Sequence, residues 1–170
     1  MVGSILMPAR EAKEAIGRRL SAVFSQEVFG SLYPDVQVPR AYEGFPSNEP
    51  PFYVSWDEIV DAASVTGAVT MNQPEVEFTL HVWAFAQHVD KKTASDTALA
   101  YADVILAALA ADQTLNRTVD TAVPSITNAG TAADSSKRYM ASVEITVSCS
   151  VASACPAEIK EAVDAANRSL

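Results

Sequence analysis

Glu75-Val-Glu-Phe-Thr-Leu-His-Val-Trp-Ala-Phe-Ala-Gln87 is the stretch that decides the fold. Val76, Phe78, Leu80, Val82 and Ala84 alternate with Glu75, Glu77, Thr79, His81, Trp83 and Phe85. A period of two belongs to a strand with one buried face. The second face begins charged and ends aromatic, so its Trp83–Phe85 end is expected to be covered. Lys137 to Val151 repeats the pattern, with Tyr139, Ala141, Val143, Ile145, Val147, Cys149 and Val151 on one side. Met140, Ser142, Glu144, Thr146 and Ser148 fall on the other. Two strands with one apolar face each require a second layer to bury them.

Helices supply that layer. Ala12, Ile16, Leu20, Val23 and Phe24 recur at three-to-four spacing behind Pro8, which predicts a helix fading near Phe29 and ending at Gly30. Thr93 to Asp112 reads as a second helix, capped by Thr93 or Ser95, with Ala98, Ala102, Ile105, Leu106 and Leu109 as its buried stripe. Its alanines favour helix and permit close approach to a sheet. Pro156 opens a short final helix that offers Ala157, Ile159, Ala162 and Val163 for docking.

Between these elements the signals are weaker. A hairpin strand is expected around Ala68–Met71 within residues 57–72. Asn116 to Thr127 reads as a strand interrupted by Pro124, and 128–136 as a small, polar, flexible loop. From Tyr33 to Trp56, Pro34, Pro39, Pro46, Pro50 and Pro51 bar regular central strands. Val36–Val38 and Phe52–Trp56 are the expected extended pieces. Tyr42, Phe45, Phe52, Tyr53, Trp56, Trp83 and Phe85 must pack on something, either this chain's own core or a neighbouring subunit.

The fold class that results is α/β (α+β): a small mixed or antiparallel sheet packed against two main helices plus a short C-terminal helix. Residues 1–170 form one expected domain, with 1–7 as an N-terminal extension and 156–170 as the C-terminal helix. A chain of this length needs no disulfide or metal staple.

Composition narrows the function classes. The net charge of −9 argues against a non-specific nucleic-acid binder and against docking on anionic lipid. Val104–Ala111, the longest apolar run, is far short of the roughly 20 residues of a bilayer span, so no membrane association is expected. Met1–Arg10 lacks the basic n-region of a signal peptide. Cys149 and Cys155 as the only cysteines fit a reducing compartment.

The catalytic inventory is empty. No nucleophile elbow, P-loop or dinucleotide fingerprint occurs. His81 and His88 would need Cys149 or Asp90 to hold a metal, and they read better as surface or interface histidines. Cys149 falls on an apolar strand face, and Cys155 has no partner base. Glu75 with Glu77, and Asp57 with Glu58, read as solvated carboxylates. The expectation is therefore no enzyme activity, no cofactor and no metal.

The order of elements and several segments resemble the tail terminator family of long-tailed, non-contractile bacteriophages, also called tail-to-head joining proteins. The segments are Val38-Pro-Arg-Ala-Tyr42, Val76–Trp83, Ala98–Leu109, Asp112-Gln-Thr-Leu-Asn-Arg-Thr-Val119 and Arg138–Val147. The resemblance runs from about residue 8 to residue 151. Family members carry a Gly-Gly type turn after the Thr-Leu pair, where this chain has Asn116-Arg117.

The resemblance implies a virion subunit, made in the host bacterial cytoplasm, that assembles into a homohexameric ring. Such a ring caps the head-proximal end of the tail tube, stops tube growth and joins the head-completion or connector protein. DNA would pass through its lumen without specific binding, which an acidic subunit favours. Tyr42, Phe45, Phe52, Tyr53, Trp56, Trp83 and Phe85 become the candidate interface residues. Another neck or tube component is the alternative, followed by a small cytosolic enzyme or a ligand-binding module.

Overall fold

A computed structural model describes residues 6–66, 74–134, 136–152 and 156–169. The alternating segments form the two longest strands, β4 (Glu75–His88) and β6 (Tyr139–Ala152). They pair antiparallel along their whole length, from Glu75 opposite Ala152 to His88 opposite Tyr139. Because the register sets like on like, Val76 faces Val151, Leu80 faces Val147 and Val82 faces Ile145, all buried. Phe78 faces Cys149, which is the core residue its pattern predicts.

Four shorter strands complete a mixed α+β sheet: β1 (Arg40–Glu43), β2 (Phe52–Trp56), β3 (Asp61–Thr66) and β5 (Thr121–Ala133). The order is β1-β2-β4-β6-β5, with β1 parallel to β2 and the other pairs antiparallel. β2 and β3 share one edge of β4, β2 along Val82–Ala86 and β3 along Glu75–Thr79.

Two helices, α1 (Met7–Val23) and α3 (Lys91–Ala110), cover the apolar face, and a single turn, α2 (Phe29–Leu32), lies between α1 and β1. By length and composition α3 could cross a bilayer, but 56 % of that window is buried here, as in the core helix of a globular fold. Alanine decides how α3 sits. Ala94, Ala98 and Ala102 are buried at its sheet-facing side, where β4 and β6 present Ala84, Ala86 and Ala141. Towards the other end Tyr101, Ile105 and Leu109 fill the wider space with Ile16, Leu20 and Phe29. Trp56 lies flat against α1 at Gly17, where an added Cβ would come within 2.8 Å of the indole ring.

Arg19 locks the two helices together. It donates to the carbonyls of Ala108 and Asp112 at 3.1 and 2.8 Å and to the Asp112 carboxylate at 3.0 Å, capping the C-terminus of α3 from α1. Asp112 also accepts from the Thr114 hydroxyl and from the amides of Thr114 and Asn116. These donors, the Thr114 hydroxyl foremost, hold its carboxyl well below the usual carboxylate range. They brace a turn in which Leu115, Asn116 and Arg117 all have positive φ (48°, 59° and 63°), a left-handed run of non-glycine residues. The turn swings Leu115 fully into the core. The chain thus builds this left-handed turn with side-chain hydrogen bonds rather than with glycine.

Several expectations are corrected. The first helix ends at Val23, because Ser25 redirects the chain by accepting the Val28 amide, and Phe29–Leu32 is a separate turn. The second begins two residues early, capped by Asp90, whose carboxylate takes the Thr93 amide and hydroxyl. Val36–Val38 forms no strand, and Arg40–Glu43 pairs with β2 instead. The strand expected at 116–127 runs from Thr121 to Ala133, so most of the expected flexible loop is strand paired with Tyr139–Glu144. Pro124 is accommodated because β5 is the terminal strand of the sheet. The final helix, α4 (Ala157–Arg168), buries none of its residues. The strand expected around Ala68–Met71 and the turn at Cys155 lie outside the described residues.

Two substitutions test this packing. Gly17→Ala should destabilise the chain by about 1–2 kcal/mol, because overpacking against Trp56 outweighs the helix propensity gained. Arg117→Gly should stabilise it by about 0.5–1 kcal/mol by relieving one left-handed residue. Urea denaturation of each variant against the parent reads both, and the signs are opposite.

Candidate interaction surface

The face of the sheet turned away from α1 and α3 holds the second side chains of each strand. β1 contributes Tyr42, β2 contributes Tyr53 and Ser55, and β4 contributes His81, Trp83 and Phe85. Register places Tyr53 directly opposite Phe85, with rings stacked at 4.6 Å and 25°. Tyr42 meets Tyr53 edge-on at 6.1 Å.

Phe45 joins the row from a loop. Gly44 takes φ +72° and donates its amide to the Trp56 carbonyl, which turns the chain back over the sheet. Phe45 then lies 4.7 Å from Trp83 and 6.0 Å from Phe85. Glu58 fills the space beside Gly44 that a Cβ would need. At the far end Trp83 stacks on His81 at 5.6 Å. Six rings therefore run unbroken from Tyr42 through Tyr53, Phe85, Phe45 and Trp83 to His81. Offset and edge-on pairs of this kind add about 0.5–1.5 kcal/mol each beyond simple burial.

Burial separates the members of the row. Tyr53 is 3 % exposed, and that burial, with the Glu49 charge nearby, pushes its hydroxyl up to about 12. Phe45 is 58 % exposed and forms the outer layer. The seven aromatic residues singled out in the sequence divide accordingly. Tyr42, Phe45, Tyr53, Trp83 and Phe85 come together on one face. Phe52 and Trp56 point the other way into the core beneath the helices. Alternation within β2 forces the split, since positions 52 and 56 share one face and 53 the other.

His81 lies on the face its alternation predicts, but its partner was not legible: Asp57, expected as a solvated carboxylate, is only 12 % exposed and is turned onto His81. The Asp57 carboxylate accepts the His81 backbone amide at 2.7 Å and lies 2.9 Å from the ring Nδ1, with Glu144 4.0 Å from Nε2. The signal was the position of His81 two residues before Trp83 on the same strand face. Asp57, after β2, is brought to it only by the β2–β4 pairing.

The remainder of the face, on β5 and β6, is hydroxyl-rich. Thr127 and Thr146 hydrogen-bond through their hydroxyls at 2.8 Å, and Ser150 donates to Glu75. A shallow depression of about 390 Å³ lies over Thr79, Thr121, Val123, Ser148 and Ser150. Among the described residues, no group of three or more His, Cys, Asp or Glu side chains could hold a metal ion. His88 is turned to its own loop, where Nδ1 accepts the Asp90 amide at 2.9 Å. Cys149 lies on the opposite face, and burial pushes its thiol up to about 12. These groups do not converge with His81.

No family model matches the sequence, and no curated protein matches it. Among solved structures, the chain is similar to a chain described as "Virion of native gene transfer agent (GTA) particle". The two share 12 % identity at a TM-score of 0.41, over 81 % of this chain and 93 % of that one. A similarity of this degree assigns no family.

The layering of the aromatic row predicts unequal costs of truncation. Phe85→Ala, which unstacks buried Tyr53, should cost about 2–3 kcal/mol in urea denaturation. Phe45→Ala should cost about 1 kcal/mol or less, and equal costs would place Phe45 in the core.

Proposed function

We propose that this chain is a structural virion protein of the tail terminator kind. Copies form a ring at the head-proximal end of a phage tail tube, halt its polymerisation and present a surface to the head connector. The reading rests on the ordered segments shared with that family and on surfaces that suit a ring. Ring closure needs two unlike, complementary patches on each subunit.

The observation that carries it is the β5 side of the sheet. β5 is a 13-residue terminal strand in which only Ala122 is buried, with Val123 and Ile126 54 % and 48 % exposed. Long edges of this kind are normally covered. Pro124 and the irregularity between Ile126 and Asn128 break the run of backbone donors, so the edge suits a shaped neighbour rather than open-ended strand addition. At the opposite end of the sheet stand β1 and the aromatic row, a patch of different chemistry. In this reading the chain is no enzyme and uses no cofactor or metal. The net charge of −9 per copy lets DNA slide through the ring without adhering.

The test is to add purified protein to tail tubes assembled without it and to image their ends. Density on one end only, with tubes that stop lengthening and become able to join heads, is the expected result. Tubes that are ignored, or protein that itself grows into tubes, would overturn the proposal in favour of another neck or tube component.

A further inference from the structure

We propose that α4 is an exchange arm whose apolar stripe seats in a groove on a second copy of this chain. At 100° per residue, Ile159, Ala162, Val163 and Ala166 share one side of α4. None of its residues is buried, and Ile159 and Val163 are 56 % and 51 % exposed. A stripe of this kind on an uncovered helix requires a partner surface.

The matching surface is a groove of about 310 Å³ between the start of α1 and the connection from β2 to β3. Leu6, Ala9, Ile59 and Val60 make it apolar, and Leu6 and Ile59 stand 55 % and 82 % exposed. Its walls carry opposite charges, Arg10 on the α1 side and Glu58 on the other. The helix carries the complement. Glu158 and Lys160 flank the apolar stripe on opposite sides, so one orientation sets Glu158 beside Arg10 and Lys160 beside Glu58. Among the described residues Arg10 meets Glu14 through Nε, in an exposed pair of the kind that contributes little. Lys13 holds the groove's shape by donating to Glu43 and to the Glu58 carbonyl.

One molecule thus bears both halves of an interface, the helix and the groove, each with exposed apolar side chains among the described residues. The halves are unlike, so the contact is heterologous and propagates head to tail, as a ring requires. The inference rests on the proposed self-assembly and is independent of whether the assembly caps a tube.

The experiment uses the full chain with Cys155→Ser, in which buried Cys149 is shielded from maleimide. Ile59→Cys and Ile159→Cys are placed on separately tagged chains, co-expressed, and treated with a short bismaleimide. Both positions are exposed, so neither substitution threatens folding. The expected product is a cross-linked pair carrying both tags. Adding Arg10→Glu should lower its yield about tenfold, and Glu158→Arg on the other chain should restore it. Absence of a two-tag product overturns the inference. So does a chain bearing both cysteines that bridges only within itself, which would place α4 on its own groove. Tube capping is scored separately on the same samples. Capped tubes without the two-tag product would sink the arm alone, and cross-linked assemblies that ignore tubes would sink the terminator reading alone.

Discussion

The structure depends on the antiparallel pairing of β4 with β6. Each strand has 14 residues, and the register matches apolar with apolar on one face from Val76–Val151 to Ala86–Ala141. A slip of one residue would turn one of the two strands over, exposing its apolar set and burying Glu77 and His81 if β4 shifts, or Glu144 if β6 shifts. The penalty for burying such charges without partners fixes the register as firmly as the gain from apolar burial. With that pair fixed, every other element has a place: β2 and β3 on one edge of β4, β5 on the free edge of β6, and α1 and α3 across the apolar face.

The two faces then solve different problems. The helix face tapers from large side chains to alanine, which lets α3 approach the sheet closely at its N-terminal end and holds it off around Tyr101. Among the described residues, the outer face has no helix the size of α1 or α3 to bury it, and it grades from a row of rings on β1, β2 and β4 to hydroxyls on β5 and β6. Aromatic rings suit that position because they bury one another while leaving an outermost member, Phe45, exposed. The hydroxyl side satisfies its polar groups locally, as in the Thr127–Thr146 pair.

Much of this was legible beforehand for a physical reason. Alternation with a period of two, and stripes at three-to-four spacing, are local properties written directly in the chain, so the two long strands and the second main helix were placed within a few residues, and the first helix in all but its C-terminal end. The features misread were those set by competition between distant groups. Residues 128–133 look like a loop because they are small and polar, yet β6 offers them a ladder of hydrogen-bonding groups and they pair with it. Phe29 looks like the tail of the first helix, but Ser25 turns the chain and Phe29 packs instead on Phe24, Tyr33 and Tyr101. The final helix was expected to dock through Ile159 and Val163, and both remain exposed.

By itself the sequence determined the fold class, the two strands that organise it, the buried position of Cys149 and the presence of an aromatic cluster in the segment from Tyr42 to Phe85. These follow from side-chain periodicity and from the cost of leaving apolar surface in water. Only the tertiary structure decided which rings share a face, that Phe52 and Trp56 belong to the core, that Asp57 holds His81, and that Arg19 and Asp112 brace a left-handed turn without glycine. Each of those depends on strand register or on helix-to-helix contact across 24 to 93 residues of chain, as in Asp57–His81 and Arg19–Asp112. Local composition cannot encode a pairing at that separation. It arises only when the sheet forms and brings the partners together.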